Sequence, residues 1–197
     1  IGQALSALIC FRAICHIELL RMEKGEMHFD RALSVRLIRL ATPFAFQNFI
    51  ISVGGLVVQF VINGFGVLYI AGFTAANKLY GILEIAAYSY GFAMTTYAGQ
   101  NLGAGKIDRI RKGTCAGAWM GAVTAVIIGI AMLVFGRIIL SCFISGDASD
   151  VAATLDIAYH YLSVMAVFLP VLYLLYVFRS VLQGIGDTVM PMVSGIA

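Results

Sequence analysis

Residues 40–77 read LATPFAFQNFIISVGGLVVQFVINGFGVLYIAGFTAAN, an uninterrupted run without a charged side chain between Arg39 and Lys78. A transmembrane helix needs roughly 20 mostly apolar residues, so this run is too long for one crossing and suits two. Asn63-Gly64-Phe65-Gly66 is the turn signal within it, because glycine and asparagine punctuate helices where the chain must reverse. Two helices meeting at that turn, 40–62 and 67–99, are therefore expected. The whole chain agrees with a lipid solvent: 61% of its residues are hydrophobic and 12% charged, against about 25% charged in a soluble domain. The fold class that follows is all-α, a polytopic transmembrane helix bundle.

Working outward, an apolar segment 1–20 reads as the end of a truncated helix with no signal-peptide layout. Residues 21–39 read as a basic linker carrying Arg21, Lys24, Arg31, Arg36 and Arg39. Pro43 is placed near the start of the next helix, where its missing N–H costs nothing. The helix 67–99 holds Lys78 and Glu84 and is expected to tilt or break near Gly72, Gly81 or Gly91, with a loop from Gly99 to Gly105. A further span covers 106–136. After the polar turn 145–150, in which Asp147 or Ser149 is a candidate cap, a helix 149–183 carries Pro170, which favours a kink. Gly184-Ile185-Gly186-Asp187 precedes a last, truncated span, 188–197.

Lys and Arg alternate between connections. The first loop has five; none lies between Asn63 and Gly72; Lys106, Arg109, Arg111 and Lys112 follow Gly105; the connection that holds Asp147 and Asp150 has only Arg137; and the one after it has Arg179. The positive-inside rule then makes the first, third and last of these regions cytoplasmic, with every span a full crossing. Cys10, Cys15, Cys115 and Cys142 form no CxxC pair and are expected to be packed, inert thiols. The formal net charge of +3 gives no support for a nucleic-acid partner.

A charge at membrane depth is costly unless it meets a partner or a wet cavity, which makes Glu84 and Lys78 site candidates. Six residues separate them, about 240° around a helix, so each needs a partner elsewhere. A carboxylate at that depth is a candidate for exchanging a proton for a cation, whereas Lys78 has an equal claim to snorkel outward. Asn48, Gln59 and Asn63, with Gln47 and Ser52, are amides and a hydroxyl that either line a path or bond neighbouring helices. Tyr80 and Tyr88 share the face of Glu84, an arrangement that suits flat organic cations and equally suits packing. Asp156 and His160 share a face near a hydrated helix end. His16 and His28 lack ligand spacing, so no metal site is expected. No nucleophile elbow, phosphate loop or dinucleotide fingerprint occurs, and no enzyme is expected.

Leu40-Ala41-Thr42-Pro43 with Gln47-Asn48, Ala71-Gly72-Phe73-Thr74-Ala75-Ala76-Asn77-Lys78, and above all Gly99-Gln100-Asn101-Leu102-Gly103-Ala104-Gly105-Lys106 with Arg109 resemble the multidrug and toxic compound extrusion (MATE) family. Gly184-Ile185-Gly186-Asp187 after Gln183 looks like that family's later cytoplasmic turn. The resemblance implies twelve helices in two lobes, with this chain running from the end of helix six to the start of helix eleven and 40–197 forming most of the second lobe. It implies efflux of organic cations or other amphipathic compounds by alternating access, with Na⁺ or H⁺ as coupling ion and no other cofactor. It further implies a multi-pass inner-membrane protein, monomeric when complete, with the lipid bilayer, a small-molecule substrate and its own first lobe as partners. One branch of the family uses an acid in the seventh helix, and this chain has none there. In Gly99, Gln100, Asn101 and Gly103 the resemblance places a tight cytoplasmic turn, and glycine suits both the turn and close helix approach. A lipid-linked oligosaccharide flippase of the same superfamily, which would need several cavity cations, and a non-transporting membrane scaffold are the other function classes.

Overall fold

The computed structural model describes residues 2–17, 29–144 and 148–195, without the side chains of 148 and 149. Arg21, Lys24, His28 and Asp147, and the side chain of Ser149, thus lie outside the described residues. Among those described, every element is helical, and the chain divides into two compact units, Ile1–Arg39 and Leu40–Ala197.

In the first unit, α1 spans Gly2–His16 and ends earlier than the expected residue 20. Helix α2 spans Arg31–Asn63, beginning in the first unit and continuing into the second, so the expected linker 21–39 gives way to helix from Arg31 onward. The cause is Asp30, whose Oδ1 accepts the N–H groups of Ala32 at 2.8 Å and Leu33 at 3.1 Å. These are donors that a helix start otherwise leaves unpaired. Pro43 consequently lies inside α2 and not in its first turn.

In the second unit, α3 spans Val67–Gly103, α4 Ile107–Ser141, α5 Ala148–Gly184 and α6 Val189–Ser194. Helix α3 is unbroken at Gly72, Gly81 and Gly91, and it absorbs Gly99, Gln100, Asn101 and Gly103 into its last turns. The expected loop shrinks to a turn closed by Gly105 at φ +69°, where the Lys106 N–H reaches back to the Asn101 carbonyl at 2.9 Å. A left-handed residue at a helix end satisfies orphan carbonyls, and glycine takes that conformation without strain.

Helices α3, α4 and α5 form a packed block, to which α6 adds at one end of α5. Lipid supplies no hydrophobic drive between helices, so close van der Waals approach through small residues holds them together. Gly117, Gly121, Ala125 and Gly129 recur every fourth residue along the buried face of α4. A Cβ on Gly129 would stand 3.0 Å from the Ala166 carbonyl oxygen of α5, and one on Gly184 2.6 Å from that of Thr95 on α3. Tyr173, Leu162, Leu169 and Val177 of α5 fill the spaces between these approaches and are essentially fully buried.

Antiparallel packing puts the Asn63–Gly66 turn, the end of α4 and the start of α5 at one end, since Gly72 abuts Thr154 and Gly136 abuts Leu162. The opposite end holds the turn after Gly103 and the turn around Gly186, since Gly99 abuts Gly184 and the Tyr97 hydroxyl donates to the Arg109 carbonyl at 3.0 Å. Lys106, Arg109, Arg111 and Lys112 gather at that second end, the inner one by the positive-inside rule.

Three described helices are long and apolar enough to cross a membrane: Arg31–Asn63, Ile107–Ser141 and Asp150–Gly184. Helix α3 has the length but not the apolarity, because it packs against both α4 and α5 and carries Asn77, Lys78, Glu84 and four tyrosines from Tyr80 to Tyr97. The expectation of packed thiols is corrected: Cys10, Cys15, Cys115 and Cys142 are all exposed. A thiol is a small, weakly polar group that a lipid surface accommodates as readily as a core does.

Candidate functional site

Glu84 lies near the midpoint of α3 and is half-buried. Its Oε1 accepts a hydrogen bond from the Tyr176 hydroxyl of α5 at 2.9 Å. Tyr88, one turn further along α3, stacks obliquely on the Tyr176 ring with centroids 4.7 Å apart. The ring of Tyr176 is thereby held between two helices, and the hydroxyl that it aims at the carboxylate is fixed in place. A buried acceptor with a charge-assisted donor is the arrangement that makes such a group tolerable in a bilayer.

These three residues border an inner pocket of about 380 Å³, whose lining also includes Gln47 and Asn48 from α2 and Arg179, Ser180 and Gln183 from α5. Gln47 is 2% exposed. Its Nε2 donates to the Pro191 carbonyl of α6 at 2.9 Å, and its Oε1 lies 3.5 Å from the Gln183 Nε2. The pocket floor is thus an amide chain tying α2, α5 and α6 together. Asn48 lines the same pocket, although its Nδ2 is spent on the Phe44 carbonyl of its own helix at 2.9 Å.

The other sequence candidates lie elsewhere. Gln59 donates to Asn63 Oδ1 at 2.9 Å along the outer end of α2, so both amides are used by one another. Lys78 is exposed and has no hydrogen-bond or ion-pair partner among the described residues. Asp156 is engaged by Arg137 Nη2 at 2.6 Å, which ties it to α4 instead of to His160. His160 borders a larger, strongly apolar outer groove of about 640 Å³ with Phe65, Tyr69, Phe73 and Tyr161. That groove is bigger than the inner pocket, but the buried polar chemistry sits in the inner one. Among the described residues no cluster of His, Cys, Asp and Glu is suited to a metal.

In the turn motif, Gly99 makes the close approach to Gly184, while Gly103 meets nothing within 4 Å. Asn101 Nδ2 donates to the Tyr97 carbonyl at 2.8 Å, and the Gln100 side chain is exposed. Asp187 starts α6 by accepting the N–H groups of Val189 and Met190 at 3.1 and 3.2 Å.

Sequence reasoning did not single out Tyr176, Arg179 or Gln183 as site residues. Their approach to Glu84 depends on α5 packing against α3, ninety-odd positions away, and periodicity along either helix is blind to it. The usable signal was the phenol itself, since a tyrosine deep in an apolar span needs a polar partner for its hydroxyl.

A family model described as MatE matches residues 43–197. Two curated proteins of Bacillus subtilis (strain 168) are similar to the chain. "Probable multidrug resistance protein YoeA" is 27% identical over 119 residues, covering 60% of this chain and 26% of that protein. "Probable multidrug resistance protein YpnP" is 29% identical over 160 residues, covering 81% of this chain and 35% of that protein. The chain therefore spans about a quarter to a third of the length of these curated relatives.

Proposed function

The chain belongs to the MatE family, and from that premise we propose that it supplies the second lobe of a secondary-active exporter of organic cations or other amphipathic compounds. The exporter exchanges its cargo for Na⁺ or H⁺ at Glu84 by alternating access across the inner membrane, with the first lobe of the same full-length protein as the facing half. The names of the two similar proteins support multidrug efflux. The observation that carries the reading is the Tyr176 hydroxyl on Glu84 Oε1 within a pocket halfway along α3, a helix packed between two that are long and apolar enough to cross a membrane. An ionisable carboxylate so placed is costly to keep and points to an ion or substrate path. No enzymatic step enters this reading.

Inverted membrane vesicles containing the full-length protein test it, with a fluorescent organic cation followed under an imposed Na⁺ or H⁺ gradient. Gradient-driven uptake in wild type and its loss in Glu84→Gln are expected. Wild-type uptake that the substitution leaves unchanged would demote Glu84 to a structural residue, and no gradient-driven movement of any cation would remove the antiport reading.

A further inference from the structure

The inner pocket carries a second charge that the exchange at Glu84 does not use. Arg179 stands one helical turn beyond Tyr176 on α5, about 4.5 Å of rise, and lines the same pocket. Its Nε is fully buried with no hydrogen-bond partner among the described residues. Among the described residues its guanidinium makes one hydrogen bond, a long one from Nη2 to Ser194 Oγ at 3.5 Å. A guanidinium has five donors and no acceptor, and leaving a buried donor unpaired costs more than a typical hydrogen bond contributes.

The obvious partner within the pocket is Glu84, and the structure keeps the two apart. Among the described residues the one ion pair is Arg137 with Asp156. Glu84 is held by Tyr176, and the stacked rings of Tyr88 and Tyr176 are packed beside it. The amides do not take its place: Gln47 Oε1 faces the Gln183 Nε2, and among the described residues no amide oxygen of the pocket accepts from Arg179. One pocket thus presents an acid and a base that do not neutralise each other, joined by an aromatic surface, with no net formal charge.

From this we propose that Arg179 is an oxyanion subsite, and that the ligands of the inner pocket are zwitterionic aromatic compounds. Their carboxylate lies on the Arg179 fork, their ring system against Tyr88 and Tyr176, and their cationic group toward Glu84. The planar fork of arginine matches a carboxylate through two parallel N–H···O bonds, and a zwitterion neutralises both pocket charges at once. The inference rests on the proposed role of Glu84 for its cationic end, whereas the anionic end stands on Arg179 alone.

Fluorescence polarisation of the purified full-length protein tests it with two probes that share one ring system, a cationic rhodamine methyl ester and the corresponding free-acid zwitterion. Wild type is expected to bind the free acid at least as tightly as the ester. Arg179→Gln is expected to weaken the free acid about tenfold and leave the ester within about twofold, and Arg179→Lys to lose less than Arg179→Gln. No binding of the free acid by wild type, or equal effects of Arg179→Gln on both probes with Arg179→Lys behaving the same way, overturns the subsite. An acid from elsewhere in the full-length protein that already occupies Arg179 would give that second result. Vesicle uptake separates the two readings: selective binding without gradient-driven transport defeats the exporter and leaves the subsite standing, and transport without selective binding does the reverse.

Discussion

Tyr176 isolates what one hydroxyl does for Glu84. Tyr176→Phe keeps the ring packed on Tyr88 and removes only the donor to Oε1. Hydrogen bonds to charged groups contribute about 1.5–3 kcal/mol, and about 1.4 kcal/mol is a factor of ten in rate. A fall in gradient-driven uptake on the order of tenfold is therefore expected, with the size-exclusion profile and melting midpoint little changed. Lys78→Gln is the matched comparison: Lys78 is exposed, and uptake within about twofold of wild type is expected from the small effect of surface substitutions. Both charges were legible in the sequence, because an ionisable group in an apolar run stands out without any structure. Which of them lines a pocket was not legible. That depended on Tyr176 reaching across from α5 and on Lys78 facing away, and neither fact has a local signature.

At the level of the helices, the decisive feature is backbone-to-backbone approach. Gly129 and Gly184 each face a carbonyl oxygen of a neighbouring helix, and a carbonyl in a helix ladder cannot step aside as a side chain can. Gly129→Ala and Gly184→Ala are expected to destabilise the block, each by about 1–3 kcal/mol for overpacking, seen as lower melting midpoints in detergent. Gly54 in α2 meets nothing within 4 Å. Gly54→Ala should instead be neutral or raise the midpoint, since alanine favours a helix interior over glycine by about 1 kcal/mol. The existence of these helices could be read from apolar runs and turn glycines. Their ends were less accessible: Asp30 starts α2 earlier than the basic residues suggest, and the GQNLGAGK stretch reads as loop although all but its last turn is helix. Local glycine content signals breaking, whereas packing on α5 keeps the end of α3 helical.

For the molecule as a whole, the arrangement of ends makes a topological claim. In a full-length protein whose native cysteines are replaced by alanine, Phe65→Cys and Lys106→Cys should react with a membrane-impermeant maleimide from opposite sides of the membrane. Labelling of Lys106→Cys from the outside of intact cells would invert the assignment. The exchange of charges between sides was readable from lysine and arginine counts, because that signal is statistical and needs no contact. What no count conveyed is how unevenly the second unit is held together. Helices α3, α4 and α5 pack together, whereas among the described residues α2 makes no close backbone packing with α3, α4, α5 or α6, and the Gln47 amide bonds it to the Pro191 carbonyl of α6 and the Gln183 amide of α5. A neutral hydrogen bond is worth about 0.5–1.5 kcal/mol net, comparable to thermal energy. In mechanical terms the glycine-packed block is the frame and α2 is a door on a light catch, so opening the pocket wall takes far less work than deforming the frame behind it.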